Sequence, residues 1–208
     1  NARGSGVYGL DYMVSVTGDV TVNVPEGHAL TSSVYGMSSS MCEGDLNVTV
    51  GGLAEGISGN PYIYGVSGEF TGADKCVGGD YNFNYTGGKA YYVYGINGNY
   101  NASGASKYKG NVNILIHGGT ISSVYGAQNA TLEKGATILI GDYTTDMSVE
   151  GNTLNPCLIT SSVSPAYTCA TLGPLVMKVR TTNSKEDSSK PYMYGAQSIT
   201  GTGNISLQ

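Results

Sequence analysis

Polar and apolar residues alternate, or nearly so, in four short stretches: VTVNV (Val20–Val24), LNVTV (Leu46–Val50), YNFNY (Tyr81–Tyr85) and VNILI (Val112–Ile116). A two-residue period places successive side chains on opposite faces of an extended chain, so each stretch predicts a strand with one face buried. TILI (Thr137–Ile140), LVMKV (Leu175–Val179) and ISL (Ile205–Leu207) continue the series. A glycine precedes every one of them, in Gly18-Asp19, Gly44-Asp45, Gly79-Asp80, Gly110-Asn111, Gly135-Ala136, Gly173-Pro174 and Gly203-Asn204. Glycine, aspartate and asparagine favour the turns that bound strands. A helical period is absent, and glycine recurs too often for helix interiors.

A second landmark, an apolar residue followed by Tyr-Gly, falls between these strands. Tyr8, Tyr35, Tyr64, Tyr94, Tyr125 and Tyr194 are spaced by 27, 29, 30, 31 and 69 residues. Inside the last gap ITSSVSP (Ile159–Pro165) matches LTSSVYG (Leu30–Gly36), with Ser164 in the tyrosine place, and divides 69 into 39 and 30. A repeat of this length is too long for hairpins and predicts one wrap of the chain per unit, with parallel strands stacked unit on unit. The expected fold is all-β: a parallel β-solenoid of about seven coils of 27–39 residues in a single domain over 1–208, with corners near Tyr8, Tyr35, Tyr64, Tyr94, Tyr125, Ser164 and Tyr194. Strands stacked about 4.8 Å apart would align the six tyrosines as one ladder of rings, and the following glycine would turn a corner at positive φ.

The pattern GGTISSVYG (Gly118–Gly126), with the intervening glycine-led strand, resembles the repeats of secreted and surface-displayed right-handed parallel β-helix proteins. Pectin-lyase-like enzymes, autotransporter passengers, adhesins and phage tail spikes share that architecture. The resemblance covers all seven units and implies the fold; its members span lyases, hydrolases, adhesins and inert stalks.

Composition narrows the partners. Charged residues make up 12 %, the net charge is −5, and Arg3 and Arg180 are the only arginines, which excludes a nucleic-acid partner. Apolar runs stay well short of a membrane-spanning helix, so no membrane span is expected, and no basic leader followed by an apolar run opens the chain. Starting at Asn1 without methionine, the chain reads as a processed mature chain or a fragment.

Cys42 and Cys76 fall just before their glycine landmarks on adjacent units, and Cys157 and Cys169 flank Ser164. Neighbouring strands sit at the Cα separation of a disulfide, which predicts Cys42–Cys76, and Cys157–Cys169 is predicted as a staple of the longest insertion; four buried thiols are the alternative. Paired cysteines would indicate an oxidising, extracellular or cell-surface setting. N-x-S/T sequons occur at Asn47, Asn84, Asn101, Asn129 and Asn204. Asn101 and Asn129 lie in variable segments and are the candidate glycan acceptors, whereas Asn47 and Asn84 fall within strands.

Catalytic constellations are not evident, and the chain reads as a non-enzyme. His28 and His117 take similar places three units apart, too distant to act together. Asp19, Asp45 and Asp80, followed by Asn111, form a column. Carboxylates about 5 Å apart repel by roughly 1–3 kcal/mol, which invites Ca²⁺ or protonation; capping of successive turns is the favoured reading. Asp142, Asp146 and Glu150 belong to a long insertion and match no EF-hand spacing. No cofactor is otherwise expected.

The end segments read as complementary halves of a coil. Asn204, Ile205, Ser206 and Leu207 of one copy would join Val7 and Tyr8 of the next, and such a contact, repeated without closing, builds a filament. A structural, self-assembling extracellular protein is therefore expected. A glycan-binding stalk of an adhesin or tail spike is the second expectation, and a polysaccharide lyase or hydrolase the third.

Overall fold

The computed structural model describes residues 6–27, 33–54, 59, 61–68, 75–98, 106–153, 155–180 and 192–207. Within them the chain is all-β, without helices, and every strand pair is parallel.

Two long sheets dominate. The first runs, in order, through β1 (Val7–Asp11), β4 (Val34–Ser38), β7 (Tyr62–Ser67), β9 (Lys89–Asn97), β12 (Gly119–Gln128), β15 (Cys157–Tyr167) and β18 (Tyr192–Met193). The second contains β3 (Val20–Val24), β6 (Leu46–Val50), β8 (Tyr81–Tyr85), β11 (Val112–Ile116), β14 (Ala136–Ile140), β17 (Leu175–Val179) and β20 (Ile205–Leu207). All seven stretches predicted from alternation form this second sheet. A third column is built from short strands: β2 (Ser15–Val16) pairs with β5 (Met41–Cys42), and β10 (Ser106–Tyr108) leads to β13 (Ala130–Leu132), β16 (Ala170–Thr171) and β19 (Thr200–Gly201). Val77 bridges the two halves, pairing with Cys42 on one side and Tyr108 on the other.

Alternation explains the second sheet: in β6, β8 and β14 the first, third and fifth side chains are buried. Those side chains face the first sheet, where alternation breaks at the glycine of Tyr-Gly. In β4, Gly36 and Met37 are both buried, and the pairing passes from Tyr35↔Tyr64 to Met37↔Val66. The strand therefore bends at this glycine, yet Gly9, Gly36, Gly65, Gly95 and Gly126 do not take positive φ. The expected corner is corrected accordingly. Glycine is required here because the sheets approach too closely for a Cβ, which at Gly36 would lie 2.5 Å from Val48 and at Gly126 2.6 Å from Ile138.

At six of the seven levels a left-handed corner comes four residues after the tyrosine, or after Ser164 in its place; Gly98, the equivalent residue after Tyr94, does not take positive φ. Tyr12 (φ 42°), Ser39 (41°), Gly68 (76°), Asn129 (52°), Thr168 (50°) and Ser198 (52°) occupy equivalent places. A further regularity follows it. From Val16 to Val20, Cys42 to Leu46, Val77 to Tyr81, Tyr108 to Val112, Leu132 to Ala136, Thr171 to Leu175 and Gly201 to Ile205, the third column reaches the second sheet in four residues each time. The same register sets Ala136 beside Val112, so Gly135 stands opposite Asn111 and not opposite Gly110.

Candidate functional site: ladders and open sheet edges

Parallel in-register stacking converts each repeated residue into a column, and the tyrosines form the longest column of rings. Successive centroids from Tyr8 through Tyr35, Tyr64 and Tyr94 to Tyr125 are 4.7, 4.8, 5.0 and 4.7 Å apart, with planes within 9° of parallel. Tyr64 stands in the middle, and burial together with Tyr35 pushes its phenol up to about 12. Ser164 pairs with Tyr125 and ends the stack. Its hydroxyl is buried without a hydrogen-bond partner among the described residues. Tyr194, expected as the sixth ring, lies beyond Ser164 and is exposed. Tyr62, Tyr91 and Tyr92 widen the aromatic strip, with Tyr91 and Tyr92 4.5 Å apart edge to face.

The aspartate column is a chain of caps. Oδ1 of Asp19 accepts the Asp45 amide, Oδ1 of Asp45 accepts the Asp80 amide, and Oδ1 of Asp80 accepts the Asn111 amide, each at 2.8 Å. These bonds satisfy the amide that opens each strand and link successive levels through side chains. The Asn111 contacts hold the Asp80 carboxyl below its usual range. An asparagine ladder, Asn113 to Asn82 to Asn47, runs beside it with 2.9 Å amide bonds. Among the described residues no group of three or more His, Cys, Asp or Glu side chains is arranged to hold a metal ion.

The four cysteines are buried thiols, and neither predicted disulfide is formed. Cys42 pairs across with Val77, so Cys76 stands one residue out of register. The eleven-residue strand β15 separates Cys157 from Cys169; at about 3.3 Å per residue its span far exceeds the roughly 7 Å a disulfide tolerates. Burial pushes the Cys42 thiol up to about 11 and that of Cys157 up to about 12, so neither is an activated nucleophile at neutral pH.

Of the predicted glycan acceptors, Asn101 lies outside the described residues. Asn129 is a correction: it is 7 % exposed, holds the left-handed corner and donates to the Gly98 carbonyl. Asn47 is engaged in the asparagine ladder. His28 is likewise outside the described residues; burial lowers the pKa of His117, whose Nε2 has no partner among them.

Asp142 anchors the long insertion. Its buried carboxylate accepts the amides of Thr144, Thr145 and Asn155 and the hydroxyls of Thr144 and Thr145. Asp146 instead accepts the Ser148 amide and hydroxyl. Arg180 donates to the Asp142 carbonyl and lies over the Tyr143 ring, 4.7 Å from its centre. A cleft of about 500 Å³ opens nearby, lined by Glu26, Thr86, Lys89, Thr120 and Asn155 over a glycine floor.

Two edges complete the picture. On one, Met193, Ile205 and Leu207 are 58 %, 50 % and 55 % exposed, although their column neighbours Val163, Leu175 and Met177 are fully buried. On the other edge stand β1 and β3, with Tyr8 43 % exposed at the end of the ring stack. Comparison with models of known families, with curated proteins and with solved structures found no match. What the geometry defines is a class: an all-β protein of stacked parallel sheets, laddered through Tyr, Asp and Asn. None of the helices needed for a helical membrane span is present among the described residues.

Proposed function

We propose that this chain is a structural protein: a β-solenoid of seven coils in one domain that stacks head to tail into a filament in an extracellular or cell-surface setting. The observation that carries the reading is the edge formed by β18 and β20, where Met193, Ile205 and Leu207 emerge half exposed although their ladders are buried elsewhere, with β1 and β3 standing at the opposite edge among the described residues. Unpaired edges of this kind recruit further strands, and a second copy supplies them in the right number. Electron microscopy at micromolar concentration tests it. Long fibres with an axial repeat of about 33 Å, seven levels at roughly 4.8 Å each, are the expected result. Ile205→Pro removes an amide donor at the edge and is expected to abolish the fibres without unfolding the inner strands. Fibres that persist in this variant, or isolated rods in the parent, would overturn the reading.

A second reading is favoured by the cleft. Glu26, Lys89, Thr120 and Asn155 present acceptors and donors over a backbone floor, as a glycan-binding stalk would. Binding to a glycan array that disappears in Glu26→Gln and Lys89→Ala, with the melting temperature unchanged, would support it. One carboxylate and one ammonium fall short of the paired carboxylates of glycoside hydrolysis, so an enzyme is the weaker reading.

A further inference from the structure

The edge-to-edge contact has only one register that continues every column. One residue per level is passed from strand to strand: Val7 pairs with Val34 at the start of the first sheet, and Val163 pairs with Met193 at its end. The second sheet passes likewise from Val20↔Leu46 to Leu175↔Ile205, and the third column from Val16↔Cys42 to Thr171↔Gly201. We infer that a second copy of this chain docks with Met193 on its Val7, Gly201 on its Val16 and Ile205 on its Val20, in parallel and in the register that extends all three columns. This inference rests on the end-to-end reading proposed above and specifies its partner surface.

Three observations fit that register. The first is spacing. Gly201 and Ile205 are four residues apart, as are Val16 and Val20, so two columns superpose together. Met193 and Gly201 are eight apart, Val7 and Val16 nine, and the extra residue falls at Tyr12–Met13, both in the left-handed region with Tyr12 projecting into solvent. The mismatch is therefore taken up outside the stack.

The second is the polar column. From Asp19 through Asp45 and Asp80 to Asn111, each level offers a side-chain oxygen to the amide of the next. Asn204 precedes β20 as Asp19 precedes β3, and its carbonyl accepts the Leu175 amide as that of Asp45 accepts the Val20 amide. In the inferred register the Asn204 Oδ1 accepts the Asp19 amide of the next copy, and the cap ladder resumes across the joint.

The third is the apolar column. Leu207 packs toward Gly195 at one edge, where its Cδ2 lies 3.4 Å from a Cβ built there, and Val22 packs toward Gly9 at the other. Leu207 on Val22 continues the side chains that fill the space between the two long sheets. A head-to-head arrangement reverses strand direction and aligns none of these columns.

Cysteine cross-linking tests the register. Thr21 and Ser206 occupy one outward column, reached through Thr21↔Asn47 at its start and Val176↔Ser206 at its end. A Thr21→Cys, Ser206→Cys variant, oxidised and run under non-reducing conditions, is expected to give a ladder of covalent oligomers. Asn23→Cys with Ser206→Cys places the thiols two residues apart and is expected to give about ten-fold less. Preferred cross-linking of the Asn23 pair, with fibres still visible, would overturn the register and leave the filament standing. Covalent dimers from Ser206→Cys alone would show head-to-head contact and overturn it too. Absence of both fibres and cross-links would remove the filament reading itself.

Discussion

The hydroxyl of Tyr81 donates to the carbonyl of Gly95 at 2.7 Å, joining the second sheet to the first through a fully buried side chain. Tyr81 takes the place that Leu46 and Val112 hold on adjacent strands, so a polar bridge replaces a purely apolar contact at this level alone. Tyr81→Phe is expected to lower unfolding free energy by about 1 kcal/mol, the net worth of one hydrogen bond. Urea denaturation measures it, and an unchanged midpoint would mean that the bridge contributes nothing.

Gly65→Ala is expected to be far more damaging. Its Cβ would lie 2.0 Å from the Tyr81 hydroxyl and 2.6 Å from the Gly95 carbonyl, and neither can retreat from a packed core. A loss of about 3 kcal/mol or more follows from overpacking of this severity. Gly18→Ala, with nothing within 4 Å of the added carbon, is the matched control and should stay within roughly 0.5 kcal/mol.

Thr168→Gly should act in the opposite sense. A β-branched residue at φ 50° carries a cost of about 1–2 kcal/mol that glycine does not. A rise in melting temperature is expected for Thr168→Gly and a fall for Gly68→Ala, which reverses the exchange at an equivalent corner. Calorimetry of the two variants reads both signs.

Acid should loosen the insertion around Asp142. Hydrogen bonds, that from the Thr145 hydroxyl foremost, hold its carboxyl well below the usual carboxylate range in the folded chain. A folded-state pKa below the unfolded one gives stability that is present above about pH 4 and is lost as pH falls below it. Asp142→Asn is expected to cost about 2 kcal/mol at neutral pH and to flatten the acid limb of the melting profile. An acid limb identical to that of the parent would assign the effect elsewhere.

Alkaline titration reports on the ring stack. Burial, with Tyr35 stacked beside it, pushes the Tyr64 phenol up to about 12. Tyr64→Phe is expected to remove one phenol from that late phase of the ultraviolet titration, and a late phase of unchanged amplitude would overturn the assignment.

The second sheet was legible because its period survives in the letters: Leu46, Val48 and Val50 alternate with Asn47 and Thr49, and the burial follows. The third column was not, since Ser15–Val16 or Ala170–Thr171 is too short to display a period. The left-handed corner escaped for a different reason. Tyr12, Ser39, Thr168 and Ser198 share no chemistry, and only Gly68 and Asn129 carry a residue that favours positive φ. Tyr-Gly drew attention to the wrong property of glycine, its torsional freedom, when the structure uses its lack of bulk against Val48 and Phe83. The Cys42–Cys76 disulfide failed on register, because distances counted from flanking glycines cannot resolve the one-residue slip that sets Val77 opposite Cys42, and Cys157–Cys169 failed because Ser164 lies within one long strand and not at a tight corner.

The constant four-residue passage from the third column to the second sheet separates two kinds of variation. Adding a unit extends the stack by one strand thickness, about 4.8 Å, and leaves its cross-section alone. Enlarging a connection elsewhere, as the segment around Asp142 does, decorates the flank, and the level beside it absorbs one extra residue between Ile159 and Ser162. Duplication can thus tune reach while loop grafting tunes surface chemistry, and the two can be inherited, or engineered, independently.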